Sequence, residues 1–477
     1  MTAVIAAAGA GLEARRWPRK ALTVAAAFAC ALLIPNAMLV GGGSYDDHTV
    51  FAYIGWLMHR GFAPYRDVWD HKGPLLYYLN WLGWAITPHS TVGIGILQAA
   101  VYLIAFAVLI RILAGTFGRL AVLLSLLFGV GFLARAGEGG NMVETWAVGA
   151  IALCHYIVFD ASRRKPELWH FALITSSFVS CFWIRPNLCA LPGIALLSLL
   201  VVVQLEIGYK SALRLLGFCT LVALVETGLV LYPIWRTGTE HDMWSAYFTY
   251  NADYTRVVNW KLRMYAILQL KGMIKVLPLA YAAVLGWFLL LRNVLKRAAP
   301  SIPISFVYAA FVTLSFPVEV LAYIISGRPY YHYWAPLAPT MTILSAVAFY
   351  SLFERVKLWK MPVRVAIAAL IAAAVLYQAR MYILVLRLDA PHDSEIRIAR
   401  YVDGVTTSRD RILPVGDVVP SVAIALRARR LPASPYIFQL PMIHHANPQS
   451  SIQRASFIAS VRRNLPAVIV STPGIVG

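Results

Sequence analysis

Long apolar runs alternate with short polar connections along most of the chain. A helix needs roughly 20 apolar residues to cross the hydrocarbon of a bilayer, and runs of about that length recur from residue 21 to residue 384. The pattern predicts an all-α polytopic membrane protein with about eleven transmembrane helices. These spans are predicted at 21–40, 91–111, 120–134, 143–159, 169–185, 188–206, 213–235, 272–291, 302–326, 335–353 and 362–384.

The distribution of basic residues predicts the orientation of these spans. The chain is 60% hydrophobic and 13% charged, with a net charge of +20 and a mean hydropathy of +0.66. Its cations cluster in alternate short connections, beginning with 15–20 before the first span. Cytoplasmic loops carry such an excess, so membrane topology accounts for the charge without nucleic acid. The N-terminus is predicted in the cytoplasm, and the N-terminal apolar run is read as a retained span rather than a cleaved signal peptide.

Three polar segments on the predicted outer side are long enough to hold structure. In 41–90, apolar residues from Val50 to Met58 recur at helical spacing, and a second apolar stretch follows Pro74. Both are predicted as helices lying in the membrane interface. The segment 236–271 shows no specific pattern. In 386–477, two short apolar runs at 411–416 and 466–470 are typical of buried strands, which predicts a small extracytoplasmic α/β domain after a membrane domain at 1–385.

The acidic pair Asp46 and Asp47 is the first candidate for chemistry. Ser44 and Asp47 have the spacing of a capping box before an apolar run, and acids suit a helix N-terminus. A carboxylate at the mouth of a membrane cavity can also act as a general base toward an acceptor hydroxyl. Both interpretations stand, because one acid can serve both purposes.

A second charged cluster follows about two dozen residues later. Lys72 precedes Gly73 and Pro74, a start signal for a helix with open backbone N–H groups, and a cation there suits a phosphate. Asp70 and Tyr65 are candidate substrate contacts, and the neighbouring His71 is a candidate phosphate contact. Asp70 and His71 are also the residues that would hold a divalent metal if one is required, but two ligands in one loop are a weak metal signal.

The third cluster lies at the outer end of the ninth and tenth spans. An aromatic belt explains Tyr331 and its neighbours, but it does not explain Arg328 and His332. Charged groups at membrane depth are functional candidates, and these two can close on a phosphate from the side opposite Lys72. Glu144 and Arg185 also point outward and are possible substrate contacts, as is Glu138, although structural pairing is the preferred interpretation for these.

The layout resembles the GT-C superfamily of membrane glycosyltransferases, in particular the branch with protein O-mannosyltransferases, lipid A aminoarabinose transferases and rhizobial galacturonosyltransferases. Asp46-Asp47 stands where that branch has an Asp-Glu or Asp-Asp pair. His71-Lys72-Gly73-Pro74 stands where aminoarabinose transferases have Glu-Lys-Pro-Pro, and here His replaces the acid and Gly the first proline. The segment from Arg328 to Tyr333 is similar to a Gly-Arg-x-Tyr-x-His-Tyr pattern of the same branch.

This resemblance implies an inverting transfer of a sugar from a polyprenyl-phosphate donor to an extracytoplasmic hydroxyl on an envelope glycan, lipid or protein. It places the protein in a bacterial inner membrane, with the active site and C-terminus in the periplasm. Asp46 or Asp47 is the implied base, while Lys72, Arg328, His332, His71 and Tyr331 bind the donor phosphate. No cofactor is required, and a divalent metal is compatible with the pattern. The alternative is a transporter or flippase of a lipid-linked or anionic precursor, which would place charges in mid-span.

Overall fold

A computed structural model describes residues 20–40, 47–256, 258–296, 302–388, 393–416, 420–437, 439, 442 and 449–471. Asp46 and Ser44 lie outside the described residues. The chain is mostly helical, as predicted. In chain order the helices are α1 Lys20–Leu32, α2 His48–His59, α3 Pro74–Ile86, α4 Val92–Ala114, α5 Arg119–Ala136, α6 Val143–Ala161, α7 Leu168–Ile184, α8 Ala190–Glu206, α9 Tyr209–Thr237, α10 Glu240–Met243, α11 Asn251–Arg256, α12 Trp260–Val276, α13 Ala280–Lys296, α14 Phe306–Ile324, α15 Ala338–Val356, α16 Met361–Leu388, α17 Asp393–Val405, α18 Pro420–Ala428 and α19 Ser450–Arg463.

Among the described residues, eight helices are long and apolar enough to cross a membrane. They are α4, α5, α6, α9, α14, α16 and the helices α8 and α15, each extended by a preceding 3₁₀ turn, at Pro186–Cys189 and Tyr331–Leu337 respectively. The shorter apolar helices α1 and α7 and the bent pair α12–α13 account for the remaining predicted spans. Hydropathy therefore placed the membrane-crossing part of the chain correctly.

Two predicted spans have the wrong shape. The run at 21–40 is not one helix: α1 ends at Leu32, and the chain passes Pro35 into a 3₁₀ turn at Ala37–Val40. The span predicted at 272–291 crosses a break at 277–279, where α12 and α13 meet at 112°. Proline lacks an N–H and clashes with the preceding turn, and Pro278 sits in that break.

The helix α2 also departs from its prediction. Twelve residues span only about 18 Å, so it cannot cross a bilayer, but it does not lie with one face open either. Its residues from His48 to Leu57 are all buried, because it packs against α3 on one side and α18 from the C-terminal segment on another. A local apolar pattern cannot reveal a partner that lies hundreds of residues away.

The C-terminal segment contains a small parallel sheet with helices beside it. The strands are β1 Arg411–Val415, β2 Leu431–Pro432 and β3 Val468–Ser471, in the order β2-β1-β3. In register, Ile412 pairs with Pro432 on one side and with Val468 on the other. The two strand candidates read from the sequence are thus β1 and β3, neighbours in one sheet. The division of the chain at residue 385 stays a prediction.

Candidate active site

A tight turn between α2 and α3 directs the charged loop back into the protein. Tyr65 has a φ of 71°, and its N–H donates to the carbonyl of Val68 at 2.8 Å. The Asp67 carboxylate accepts from the N–H of Ala63 at 2.8 Å and closes the turn from the other side. Tyr65 was predicted as a substrate contact, but its hydroxyl donates to the carbonyl of Lys72 at 2.8 Å, so it supports the loop.

Gly73 fixes where this loop enters α3. A Cβ built on Gly73 would lie 1.9 Å from the carbonyl oxygen of Trp183, and its own N–H donates to Ile184 at 3.1 Å. Any side chain here would force the loop away from the end of α7. Pro74 then occupies the first turn of α3, the position where its fixed φ and missing N–H are tolerated. The Gly-Pro pair thus holds the backbone that follows Lys72 against the end of α7.

Asp70, His71 and Lys72 form a consecutive series of polar contacts, which we call the relay. The Lys72 ammonium lies 2.7 Å from His71 Nε2, and an ammonium can only donate, so Nε2 accepts. The ring proton then sits on Nδ1, which faces the Asp70 carboxylate 3.2 Å away. Tyr77 donates to the other Asp70 oxygen at 2.8 Å. The neutral histidine lies between the Asp70 carboxylate and the Lys72 ammonium and acts as a spacer that fixes the position of the ammonium.

The charge states along the relay follow from burial and neighbours. Burial and the positive charge of Lys72 lower the pKa of His71 to about 4, although Asp70 opposes them. Burial would raise the pKa of Asp70, but its contacts with His71 and the charge of Lys72 outweigh this and hold the pKa below its usual value. At neutral pH the relay is therefore an ionised aspartate, a neutral histidine and a lysine.

Asp47 lies at the start of α2 but does not cap it. Its side chain makes no capping hydrogen bond, so the capping interpretation fails for this acid. Burial raises the pKa of its carboxyl, and the charges of Lys72 and His332 partly oppose that rise, while nearby Asp70 and Glu144 add to it. The Asp47 carboxyl therefore lies within electrostatic reach of two cationic groups that come from distant parts of the chain.

A left-handed turn between α5 and α6 forms the next wall. Glu138 and Asn141 have positive φ angles of 44° and 53°, with two glycines of the same sign between them. Non-glycine residues adopt this conformation only where their surroundings hold them. The buried Asn141 amide donates to the carbonyl of His48 at 2.8 Å and to Asn80 at 2.9 Å. The turn is therefore locked to α2 and α3.

This turn brings Glu138 to His332, where its carboxylate lies 2.5 Å from Nδ1. Glu138 does pair with another side chain, as the sequence interpretation preferred, but the pair lies within the site. Its role there was missed because the two residues are 194 positions apart. The ring of Tyr330 stacks parallel on His332, with centroids 5.4 Å apart, which limits how the imidazole can turn.

Glu144 and Arg185 pair with each other beside this wall. The Arg185 guanidinium donates to Glu144 and lies 4.1 Å from the centre of the Tyr333 ring. The second oxygen of Glu144 is buried and, among the described residues, has no hydrogen-bond donor. A buried polar atom without a partner costs free energy, so this oxygen is a candidate for a substrate hydroxyl.

Arg328 faces the site from the segment before His332. Its guanidinium lies over the Tyr254 ring, 4.6 Å from the centroid, and that ring also lies 6.0 Å from the ring of His71. Tyr331, predicted as a donor contact, instead holds the guanidinium of Arg135 at 3.9 Å. Tyr331 therefore anchors the segment, while Arg328 is linked to His71 through the ring of Tyr254.

The C-terminal segment covers the charged loop. The N–H of Trp69 donates to the carbonyl of Pro435 at 2.9 Å, and the Tyr53 hydroxyl donates to the carbonyl of Arg430 at 2.6 Å. The rings of Trp69 and Tyr436 lie 5.9 Å apart. The small sheet and the candidate site thus lie at the same end of the helix bundle.

Asp70 and His71 are poorly placed to hold a metal. His71 Nε2 already accepts from Lys72, and its Nδ1 faces Asp70. In the part of the chain that the structure describes, no three His, Cys, Asp or Glu side chains are grouped as metal ligands. Asp46 lies outside that part.

Comparison with solved structures identifies the fold. ArnT from Cupriavidus metallidurans in the apo state matches with a TM-score of 0.59 at 14% identity, covering 86% of this chain and 84% of that one. The same protein bound to undecaprenyl phosphate matches with a TM-score of 0.58 at 14% identity, covering 94% and 89%. No protein-family model and no curated protein matches the chain.

A more distant structure has the same architecture. The oligosaccharyltransferase AglB from Archaeoglobus fulgidus, in complex with an inhibitory peptide and a dolichol-phosphate, matches with a TM-score of 0.52 at 12% identity, covering 95% of this chain and 69% of that one. The chain thus shares the fold of ArnT and AglB, as the resemblance to the GT-C superfamily predicted. Identities this low establish the fold alone.

Proposed function

We propose that the protein is an inverting membrane glycosyltransferase that moves a sugar from a polyprenyl-phosphate donor to an extracytoplasmic hydroxyl. The observation that carries the proposal is the position of the Asp47 carboxylate, which lies near enough to Lys72 and His332 for both charges to lower its pKa. A carboxylate facing clustered cations suits a reaction in which a hydroxyl loses a proton while a phosphate leaves with added negative charge.

In this reaction Asp47 accepts the proton of the acceptor hydroxyl. The acceptor oxygen forms a bond to the anomeric carbon as the bond from that carbon to the phosphate oxygen breaks, which inverts the configuration. A general base works best with a pKa near the operating pH, and burial raises the pKa of Asp47 in that direction. Asp46, adjacent in sequence, is the alternative base.

The leaving polyprenyl phosphate is stabilised by Lys72, His332 and Arg328. The relay through His71 holds the Lys72 ammonium with one of its three donors, which leaves the others for phosphate oxygens. Fixed cations in a site of low dielectric stabilise developing charge without reorganisation. The pairing of His332 with Glu138 and the stacking of Arg328 on Tyr254 fix both groups before the donor arrives.

The neighbours in fold support the choice of donor. ArnT has been solved with undecaprenyl phosphate and AglB with a dolichol-phosphate. We place the protein in a bacterial inner membrane with its N-terminus in the cytoplasm and its site and C-terminus in the periplasm. Nucleotide sugars are absent there, so an activated sugar has to arrive on a lipid. The sugar, and whether the acceptor is a glycan, lipid or protein, are not assigned.

A transporter of lipid-linked or anionic precursors is less well supported. Such a protein would carry its charged residues near the middle of its spans, whereas the described cation and carboxylate cluster lies at the outer ends of α6, α7 and α14. The test follows from the chemistry, because a transporter conserves its donor and a transferase consumes it.

The experiment measures the release of polyprenyl phosphate from a radiolabelled polyprenyl-phosphate sugar by purified protein. We expect the wild type to release it and Asp47→Asn to lose at least about a hundredfold in rate, since a positioned base contributes 10² to 10⁴. Asp67→Asn is the matched control, because that carboxylate closes a turn in the same loop and lies outside the cation cluster.

Asp46→Asn separates the two acids. Loss of release in Asp46→Asn with full activity in Asp47→Asn would move the base to Asp46. Full activity in both single variants and in the double variant would remove a carboxylate base from the mechanism. Intact donor after incubation with folded wild type, across a panel of sugars and acceptors, would refute the transferase proposal.

A further inference from the structure

The helix α12 differs from α13, the helix that follows it, in both direction and composition. It meets α13 at 112°, so where α13 runs across the bilayer, α12 runs roughly along its surface. Its sequence, from Trp260 to Val276, contains four basic residues and no acid. A helix that lies in the interface has an apolar side, aromatic residues and cations, and α12 has all three.

The surfaces of α12 divide by exposure. Ala266, Leu270 and Met273 are buried against the bundle. The opposite side exposes three lysines, which lie within an arc of roughly 80° at 100° per residue. Large apolar side chains share this exposed side with them. The exposed residues of this side are Lys261, Lys271 and Lys275 with Trp260, Met264, Tyr265 and Leu268, while Leu262 is exposed outside the arc.

Such a mixture suits a bilayer surface better than water or protein. Lysine stems cover apolar surface while their ammonium groups reach outward, and aromatic rings favour the level of the headgroups. No acid within α12 neutralises the three ammonium groups. We propose that this side of α12, which we call the lysine face, docks on anionic phospholipid headgroups at the same end of the bundle as the candidate site.

The lysine face is joined to the site by direct packing. Gly272 approaches Tyr331 so closely that a Cβ built on it would lie 3.5 Å from the tyrosine hydroxyl. Near the start of α12, the Arg263 side chain packs against Gly327, where a built Cβ would lie 3.5 Å from Arg263 Cγ. Gly327 and Tyr331 flank Arg328. Docking of α12 on headgroups therefore stabilises the position of the segment that carries Arg328 and His332.

The first experiment measures lipid contact without any catalytic readout. Full-length protein is reconstituted in phosphatidylcholine bilayers containing a trace of headgroup-spin-labelled phosphatidylglycerol or headgroup-spin-labelled phosphatidylcholine. The difference in fluorescence between wild type and Trp260→Phe isolates Trp260 from the other tryptophans. We expect labelled phosphatidylglycerol to quench Trp260 at least about threefold more than labelled phosphatidylcholine, since each lysine near a surface attracts anionic lipid.

Matched variants assign that preference to the lysine face. The two labelled lipids should quench Trp260 equally in a triple variant that carries Lys261→Gln, Lys271→Gln and Lys275→Gln. The control removes three exposed lysines from the opposite ends of spans, as Lys210→Gln, Lys296→Gln and Lys360→Gln, and should keep the preference. Equal quenching in the wild type, or a preference that survives in the lysine-face variant, would overturn the proposal whatever the protein catalyses.

A second measurement tests whether docking reaches the site. We expect donor turnover in bilayers containing phosphatidylglycerol to exceed turnover in phosphatidylcholine alone by severalfold, and the lysine-face variant to lose this gain. A lipid preference with no effect on turnover would keep the docking surface and refute its coupling to Arg328 and His332. Absence of turnover in every bilayer bears on the proposed function and leaves the quenching result intact.

Discussion

Two regions of the bundle pair a glutamate with a histidine, and they do so in different ways. At the end of the bundle that carries the candidate site, the Glu138 carboxylate lies 2.5 Å from His332. We call this pair, with Lys72, Arg185 and Arg328, the outer cluster. Within the spans, Glu319 and His155 are separated by the Thr340 hydroxyl, which lies 2.7 Å from the carboxylate and 2.8 Å from His155 Nε2. These three residues form a series of hydrogen bonds, which we call the inner chain, and all three are fully buried.

The inner chain is completed by hydroxyls rather than by cations. Tyr323 donates to the other Glu319 oxygen at 3.3 Å, and no described lysine or arginine pairs with Glu319. Its residues come from α6, α14 and α15, so these hydrogen bonds join three spans. The outer cluster holds fixed charges where a phosphate can arrive, whereas the inner chain satisfies polar groups and joins helices. Activity should depend on the first, and stability on the second.

The largest expected effect comes from removing the lysine of the outer cluster. Lys72→Met should lower the rate of polyprenyl-phosphate release by at least about a hundredfold, because removing one fixed group that stabilises developing charge typically costs that much. The methionine keeps the length of the stem, so the loss of stability in detergent should be limited to the cost of the donor that His71 Nε2 loses, about 1 to 3 kcal/mol of unfolding free energy. Release rate per folded molecule is the measurement.

Lys165→Met is the matched control, because that lysine is exposed between α6 and α7 at the opposite ends of these spans. It should leave both release and unfolding unchanged. A Lys72→Met protein that is folded and fully active would take the lysine out of the mechanism and would break the contrast between the two regions.

The inner chain should respond in the opposite sense. Glu319→Ala leaves Thr340 and Tyr323 without their buried acceptor, and such a loss costs about 1 to 3 kcal/mol of unfolding free energy. Glu319→Gln keeps an acceptor of the same shape and should cost less. Thermal unfolding of the three proteins, with release rates normalised to folded protein, measures both effects. A folded Glu319→Ala protein with lost transfer would instead place the inner chain in the chemistry.

The parts predicted from the sequence are those governed by local chemistry. Apolar runs located the spans because the hydrocarbon of a bilayer imposes a length on each of them. The Gly73-Pro74 signal located the start of α3, and the parallel strands β1 and β3 were visible as short apolar runs. The proximity of Asp47, Lys72 and His332 was expected from their common position at the ends of spans and from the family resemblance, because nothing in the local sequence connects residues so far apart.

The parts that were missed depend on non-local contacts. Glu138 gains its place from a left-handed turn held by Asn141, and the partners of that turn lie on α2 and α3. The role of His71 as a spacer depends on burial that no spacing reveals. The enclosure of α2 depends on α18, far along the chain. The signal that could have pointed to the turn was its Glu-Gly-Gly-Asn sequence, since glycine and asparagine favour positive φ.

The relay of the outer cluster also predicts a smaller dependence of stability on pH. The pKa of His71 is about 4 in the folded protein, while an unfolded histidine binds its proton near pH 6.5. Between these values the unfolded chain holds more protons, so stability is full above pH 6.5 and falls as pH drops toward 4. The loss attributable to His71 is about 2 kcal/mol, with allowance for its partial exposure.

His71→Gln isolates this contribution, because its amide can accept from Lys72 and donate to Asp70 but does not titrate. The difference in unfolding free energy between wild type and His71→Gln should be constant above pH 6.5. Below that pH the wild type should lose stability relative to His71→Gln as pH falls. His59→Gln removes an exposed histidine and should show no such shift. Parallel curves for wild type and His71→Gln would mean that His71 binds its proton equally well in the folded and unfolded chains, which contradicts a depressed pKa. A difference that shifts in favour of the wild type as pH falls would mean that His71 is protonated in the folded protein, and the neutral spacer between Asp70 and Lys72 would have to be replaced by a second cation that faces the donor phosphate.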